Sequence, residues 1–221
     1  MREPLMRARA PGSLSSALRA IFLGLVLAAA PISAEATVLA PLSYEQMTDA
    51  ADLVVRGKVA SLRTETDSRG GVWTVAELDV TRAYKGSVGT RVTVRTPGGA
   101  VADRIMVVEG MPRFSETEDV VMFLSARSAG DYLVIGGWQG KFTVRPDPMD
   151  GSPLVVRFTL PQTQPYDARF VPVPVKAERE GLGELETLIQ ARVESGWDGA
   201  PIPGISSERL RTINRLQPGV K

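Results

Sequence analysis

The chain has 221 residues, 43% of them hydrophobic, with 26 basic and 25 acidic side chains and neither histidine nor cysteine. That composition belongs to an ordinary globular protein and excludes a disordered chain, a membrane bundle and a disulfide scaffold. The missing histidine and cysteine also remove the commonest general base, the Ser-His-Asp and Cys-His arrangements, thiol nucleophiles and the usual zinc sites, so no metal and no cofactor is expected.

The N-terminal segment carries Arg2, Arg7, Arg9 and Arg19, then an apolar run from Ala20 to Ala30, then small residues around Ala34 and Ala36. Basic, apolar and small-residue regions in that order predict a secretory signal peptide over residues 1–36, with an N-terminal core helix as the alternative. The apolar run is too short to span a bilayer and no second one follows, so no membrane anchor is expected after cleavage and the destination is periplasmic or extracellular. Cleavage takes away four arginines, Glu3 and Glu35, which leaves 22 basic and 23 acidic residues and a net charge of −1 in place of +1. The basic footprint of a nucleic-acid binder is absent.

Beyond the signal segment, Ser43 as N-cap, Gln46 three residues later, and Leu42 paired with Met47 as a hydrophobic staple predict a short helix running to about Ala51. From Asp52 the pattern changes to period two, with Leu53, Val55, Gly57 and Val59 on one face of a strand and Arg56 and Lys58 on the other. Gly57 suggests a bulge or bend of the kind barrels need. A polar hairpin loop over residues 64–71 leads to a long strand from Trp73 to Arg82, in which Thr74, Ala76, Leu78 and Val80 share one face. Tyr84 to Gly86 ends it. Arg91 to Thr96 follows with Val92 and Val94 inward, Pro97 to Gly99 closes that strand, and a fourth covers about Arg104 to Val108.

Asp119 to Ser125 is nearly continuous apolar sequence, as expected of a strand buried on both faces or lying in a barrel wall. The stretch from Tyr132 to Val144 then concentrates aromatics, glycines and β-formers, and predicts two strands meeting at a glycine-rich corner. A last strand covers Leu154 to Thr159, which makes about eight short strands, the pattern of an all-β barrel or sandwich. After Leu160, prolines 161, 165, 172 and 174 mark a surface connector. Leu182, Leu185, Leu188, Ile189 and Val193 then fall at helical spacing, so an amphipathic helix is expected to pack on the barrel, with a further short helix from Ser206 to about Leu216 and a frayed end at 217–221. The implied organisation is a β-barrel domain over 37–160 and a connector plus helical arm over 161–221.

Spacing searches for catalytic motifs return no nucleophile elbow, no phosphate loop and no dinucleotide fingerprint. The run Gly136 to Gly140 superficially resembles a phosphate loop, but strand rather than helix propensity follows it, so it reads as a structural corner. Glu116, Glu118 and Asp119 form the densest carboxylate cluster, either solvated acids at a strand edge or the pair a glycosidase needs. Asp147 and Asp150 miss the spacing of a calcium loop and read as a turn. Trp73, Trp138 and Trp197 supply large apolar area with one donor each and are candidates for contact, although Trp73 and Trp138 also suit the ends of a barrel.

Taken together, Ala51 to Val59, Tyr84-Lys85-Gly86, Pro97-Gly98-Gly99, Phe114 to Glu118 leading into Val121 to Leu124, and Gly137 to Phe142 resemble an uncharacterised family of exported bacterial β-barrel proteins. Modules of that kind occur alone or beside secreted metallopeptidase domains. The resemblance covers about Leu42 to Val144 and implies a fold more than an activity. An N-terminal helix, a small barrel and a C-terminal helix are also similar to the OB-like barrel of netrin and tissue-inhibitor-of-metalloprotease domains. Those inhibitors present an N-terminal cysteine amine to a catalytic zinc, and this chain has no cysteine with which to do so.

The sequence therefore leads to a mainly β protein: a small closed or partly open antiparallel OB-like barrel with a short N-terminal helix and a C-terminal amphipathic helix packed on it. The expected function is non-catalytic binding to another envelope or secreted protein, in an inhibitor-like manner, with Trp73, Trp138, Glu116 and Glu118 as the candidate surface. The alternatives are a carboxylate-based enzyme acting on polysaccharide and a purely structural accessory domain. A cleft with two facing carboxylates would favour the enzyme, and an exposed apolar patch the binder.

Overall fold

Helix α1 (Tyr44–Ala50) forms where its capping signals fall: the Ser43 hydroxyl accepts from the N–H of Gln46, and the Gln46 side chain accepts from the N–H of Ser43. Leu42 and Met47 are both buried beside it. The computed structural model describes residues 40–102, 104–127, 130–157 and 179–216. The expected signal segment, the proline-rich connector, the end of the expected last strand and the C-terminal five residues lie outside them.

Strands β1 (Leu53–Thr66) and β2 (Val72–Lys85) form a long antiparallel hairpin. Both run further than their alternation suggests, because the polar ends pair across the hairpin through ion pairs such as Arg63 to Glu77 at 2.9 Å. Its turn is built on Asp67, whose carboxylate accepts from the N–H groups of Arg69 and Gly71, both at 2.8 Å. The expected irregularity at Gly57 is present: the register shifts between Arg56 and Gly57, and a Cβ at Gly57 would lie 2.6 Å from the carbonyl oxygen of Asp79.

Strand β3 (Arg91–Pro97) pairs antiparallel with β2, and β7 (Tyr132–Val134) runs parallel to β3. Strand β6 (Asp119–Ala126) joins β7 on one side and β1 on the other, from Leu53 opposite Leu124 to Lys58 opposite Asp119. The order β1-β2-β3-β7-β6 thus returns to β1 and closes a five-stranded barrel, consistent with an OB-like architecture. Beyond β6 the sheet continues through β8 (Lys141–Pro146), β9 (Pro153–Val156) and β10 (Arg179–Gly181).

The continuous apolar run of β6 serves two cores at once, which is why it does not alternate. Val120, Met122 and Leu124 point into the barrel with Leu53, Val55, Leu78 and Val94. Val121 and Phe123 face outward into a second core with Val54, Met47, Phe142, Leu185 and Ile189. Helices α1, α2 (Leu182–Ser195) and α3 (Ser207–Leu216) cover that outer core. Along α2 the inward residues are Leu182, Leu185 and Ile189, whereas Leu188 is 39% exposed.

One expectation is corrected. Arg104 to Val108 is not a barrel strand: β4 (Gly99–Val101) and β5 (Arg104–Met106) pair only with each other, as an arm outside the barrel. The barrel position beside β3 is taken instead by β7. The glycine-rich stretch joins two strands, β7 and β8, at a turn with left-handed glycines, as expected. Both β7 and β8 are antiparallel to β6 and lie along its same edge, interrupted by a 3-10 turn at Gly137–Gly140. That interruption lets β7 close the barrel while β8 diverges to pair with β9.

Candidate functional site

The arm and the interrupted strand meet around the segment Val107 to Phe114. Gly137 has φ 61°, and a Cβ there would stand 2.1 Å from the carbonyl oxygen of Gly110. The same oxygen accepts from the N–H of Trp138 at 2.9 Å. Gly137 is therefore needed both for a left-handed backbone and for close approach, and the contact fixes the loop carrying Met111, Pro112 and Arg113 against the barrel. On the other side of the turn, the Gln139 amide bonds the N–H of Leu42 and the carbonyl of Ala40, tying the entry of α1 to the same corner.

Two adjoining cavities share Met111, Pro112 and Arg113. One, of about 330 Å³, lies under the arm and is lined by apolar side chains, among them Pro97, Met106, Val108 and Phe114, and by the polar Thr74, Thr96 and Arg113. The other, of about 280 Å³, is lined by Arg113, Glu118, Trp138, Lys141 and Arg145. Above the first, Ile105 is 80% and Val107 61% exposed, an unusual placement for neighbouring β-branched side chains.

The polar centre of the second cavity is the pair Glu118 and Lys141. Lys141 and Thr143 stand two residues apart on β8 and so share a face. Both reach Glu118: the Lys141 ammonium donates to its carboxylate at 2.7 Å and the Thr143 hydroxyl donates to the same oxygen. The N–H of Ser115 donates to the other oxygen at 3.2 Å. Burial pulls the Lys141 ammonium below its ordinary pKa, and the Glu118 carboxylate acts in the opposite direction. The Phe114 ring centroid lies 5.5 Å from the Lys141 nitrogen.

The four candidate residues separate into two groups. Glu118 and Trp138 line the same cavity. Trp138 is 7% exposed, so it serves as a wall rather than as a projecting contact, and its indole N–H is buried without a partner among the described residues. The Arg157 guanidinium lies 5.7 Å from its ring centroid. Trp73 stands at the distal end of the β1–β2 hairpin, opposite Glu65, where its indole N–H donates to Asp67 at 2.9 Å and Arg127 lies over its ring. Glu116 is exposed on the loop before β6. Neither Trp73 nor Glu116 lines either cavity.

The acidic cluster is likewise divided. Asp119 turns to the opposite face of β6 from Glu118 and takes a bidentate ion pair from Arg56, at 3.1 and 2.7 Å. Glu118 is the one carboxylate among the described residues lining its cavity. Among the described residues there is also no group of three acids, histidines or cysteines suited to a metal ion, and no helix long and apolar enough to cross a membrane.

Sequence reasoning overlooks Ile105, Val107, Arg113 and Lys141. The run Ile105 to Val108 reads as barrel strand because its apolar character is the same whether it packs or protrudes. Lys141 sits in an alternating strand, where a lysine ordinarily points to solvent. The fold and cleft define a small closed-barrel protein with an apolar arm and a cation-lined cavity beside it. No protein family and no curated protein matches the chain.

Proposed function

We propose that this is an exported, non-catalytic binding protein that recognises another envelope or secreted protein through the arm and the cleft behind it. The observation that carries the reading is the exposure of Ile105 and Val107 at the rim of a cavity that they line together with both apolar and polar residues. Apolar side chains held out by a short hairpin lose free energy by remaining in water and regain it against a partner, at about 25 cal/mol per Å² buried. The order of basic, apolar and small residues over 1–36 supports export, to the periplasm or beyond.

The likeness to netrin and tissue-inhibitor domains supports an inhibitor-like action on a secreted partner. With no cysteine in the chain, such action would rest on the arm and cleft rather than on an amine directed at zinc. Affinity capture from the native envelope, with the exported chain and an Ile105→Asp, Val107→Asp variant as baits, tests the reading. The expected result is one or more proteins retained by the wild type and lost with the variant. Identical retention by both, or none by either, would overturn it.

A further inference from the structure

We infer that the occupant of the double cleft is an extended segment of the partner, laid as a third strand on the outer edge of β5 and carrying an apolar side chain two positions from an aspartate or glutamate. This rests on the proposed binding function and specifies what is bound. Backbone pairing, cavity chemistry and charge each point to it.

The arm is a sheet of two strands, and among the described residues β5 is paired on one edge only, with Gly99 opposite Met106, Ala100 opposite Ile105 and Val101 opposite Arg104. Among the described residues no strand pairs with its other edge, the kind of template on which an extended peptide adds by main-chain hydrogen bonds. Beneath that arm is a cavity in which Pro97, Met106, Val108, Met111 and Phe114 offer apolar contact to an aliphatic or aromatic side chain, with Thr74 and Thr96 also in its lining.

Charge selects the second side chain of the segment. Arg113 and Lys141 line the adjoining cavity with one carboxylate; Arg145, which has interactions of its own, lines it too. That carboxylate, Glu118, is already engaged by Lys141, Thr143 and the Ser115 N–H. An ammonium carries three donors. The acceptors it meets among the described residues are two, Glu118 at 2.7 Å and Thr143 at 3.4 Å. An anionic side chain therefore complements this cavity, with Arg113 on the shared wall able to bind it in a fork. Same-face residues of an extended chain are spaced by two, at roughly 6.6 Å, and the two cavities adjoin along Met111, Pro112 and Arg113.

Selection of a displayed random heptapeptide library on the exported chain tests this. The expected outcome is enrichment of an apolar-x-acidic pattern and binding weakened about tenfold by Arg113→Glu, as for loss of one charge-assisted contact. Slowed amide exchange in Arg104 to Met106 on binding would show the added strand. Enriched peptides lacking an acid, or binding indifferent to Arg113→Glu, would overturn the proposal. So would a selection that enriches nothing: if the capture experiment still retains a partner, binding stands and the extended segment falls. If capture also fails, both fall. Thermal unfolding of Arg113→Glu, an exposed site, separates lost binding from lost fold.

Discussion

The Lys141 ammonium lies 2.7 Å from the Glu118 carboxylate, although 23 residues separate them and the side chains are only 8% and 11% exposed. Such a pair contributes little over an apolar replacement, but removing one member leaves a charge in a poorly hydrated place. Glu118→Gln is expected to cost about 3 kcal/mol, with much of that regained in Glu118→Gln, Lys141→Met. Urea unfolding of the two single variants and the double variant measures it. Additive losses would mean that the two groups do not depend on each other.

Lys85 predicts a specific pH dependence. Its ammonium is buried and donates to the carbonyls of Thr48 at 2.7 Å and Asp49 at 3.2 Å, in the last turn of α1. Burial pulls its pKa from 10.5 down to about 8, with Asp49 and Asp52 opposing. The folded state thus releases this proton before the unfolded chain does. The resulting penalty is complete below about pH 8 and disappears as pH rises from about 8 towards 10.5. Between pH 7 and 9.5 the wild type should gain about 2 kcal/mol relative to Lys85→Met, measured by urea unfolding at both pH values. Tyr84, pushed upward by burial and its bond to Glu186, does not interfere in that interval. A difference that stays constant or shrinks in the other sense would contradict the buried charge.

Asp49 and Arg192 tie α1 to α2 through two bonds of 2.9 and 2.7 Å. Asp49→Ala alone should cost about 3 kcal/mol, because among the described residues the guanidinium retains only the more exposed Asp198 at 3.3 Å. Arg192→Ala should cost a similar amount, and the double variant less than the sum. A double-mutant cycle in denaturant reads the coupling directly, and a value near zero would show that apolar packing alone joins the helices.

Gly137 and Gly70 isolate close approach from backbone strain. Both have positive φ, 61° and 79°, but a Cβ at Gly70 meets nothing within 4 Å while one at Gly137 meets the Gly110 carbonyl at 2.1 Å. Gly70→Ala should cost about 1 kcal/mol, the strain of a left-handed alanine. Gly137→Ala should cost about 3 kcal/mol or more, and should also displace the loop carrying Arg113. Equal losses in thermal unfolding would show that the corner does not clamp that loop.

Local rules carried the fold as far as local physics reaches. The capping box of Ser43 and Gln46, the bend at Gly57 and the inward faces of Val92 and Val94 all follow from interactions within a few residues or from strict alternation. The two-sided burial of β6 was legible too, because an unbroken apolar run has no polar face to give to water. The candidate site was legible only in part. Glu118 was identified as an acid in a cluster, but nothing near it in sequence distinguishes it from Asp119, which takes Arg56 as its partner instead.

By itself, then, the sequence determined the lack of histidine and cysteine, the β class, and where most of the longer strands and the helices begin. Those depend on composition, periodicity and capping, which are properties of adjacent residues. Only the tertiary structure decided that β7 rather than Arg104 to Val108 closes the barrel beside β3, and that Ile105 and Val107 stand out in water. Only it brought Glu118, Trp138, Lys141 and Arg113 to one cavity. An apolar strand has the same pattern whether it pairs inside a barrel or beyond it, and which of the two occurs is fixed by competition among distant strands for the same edge.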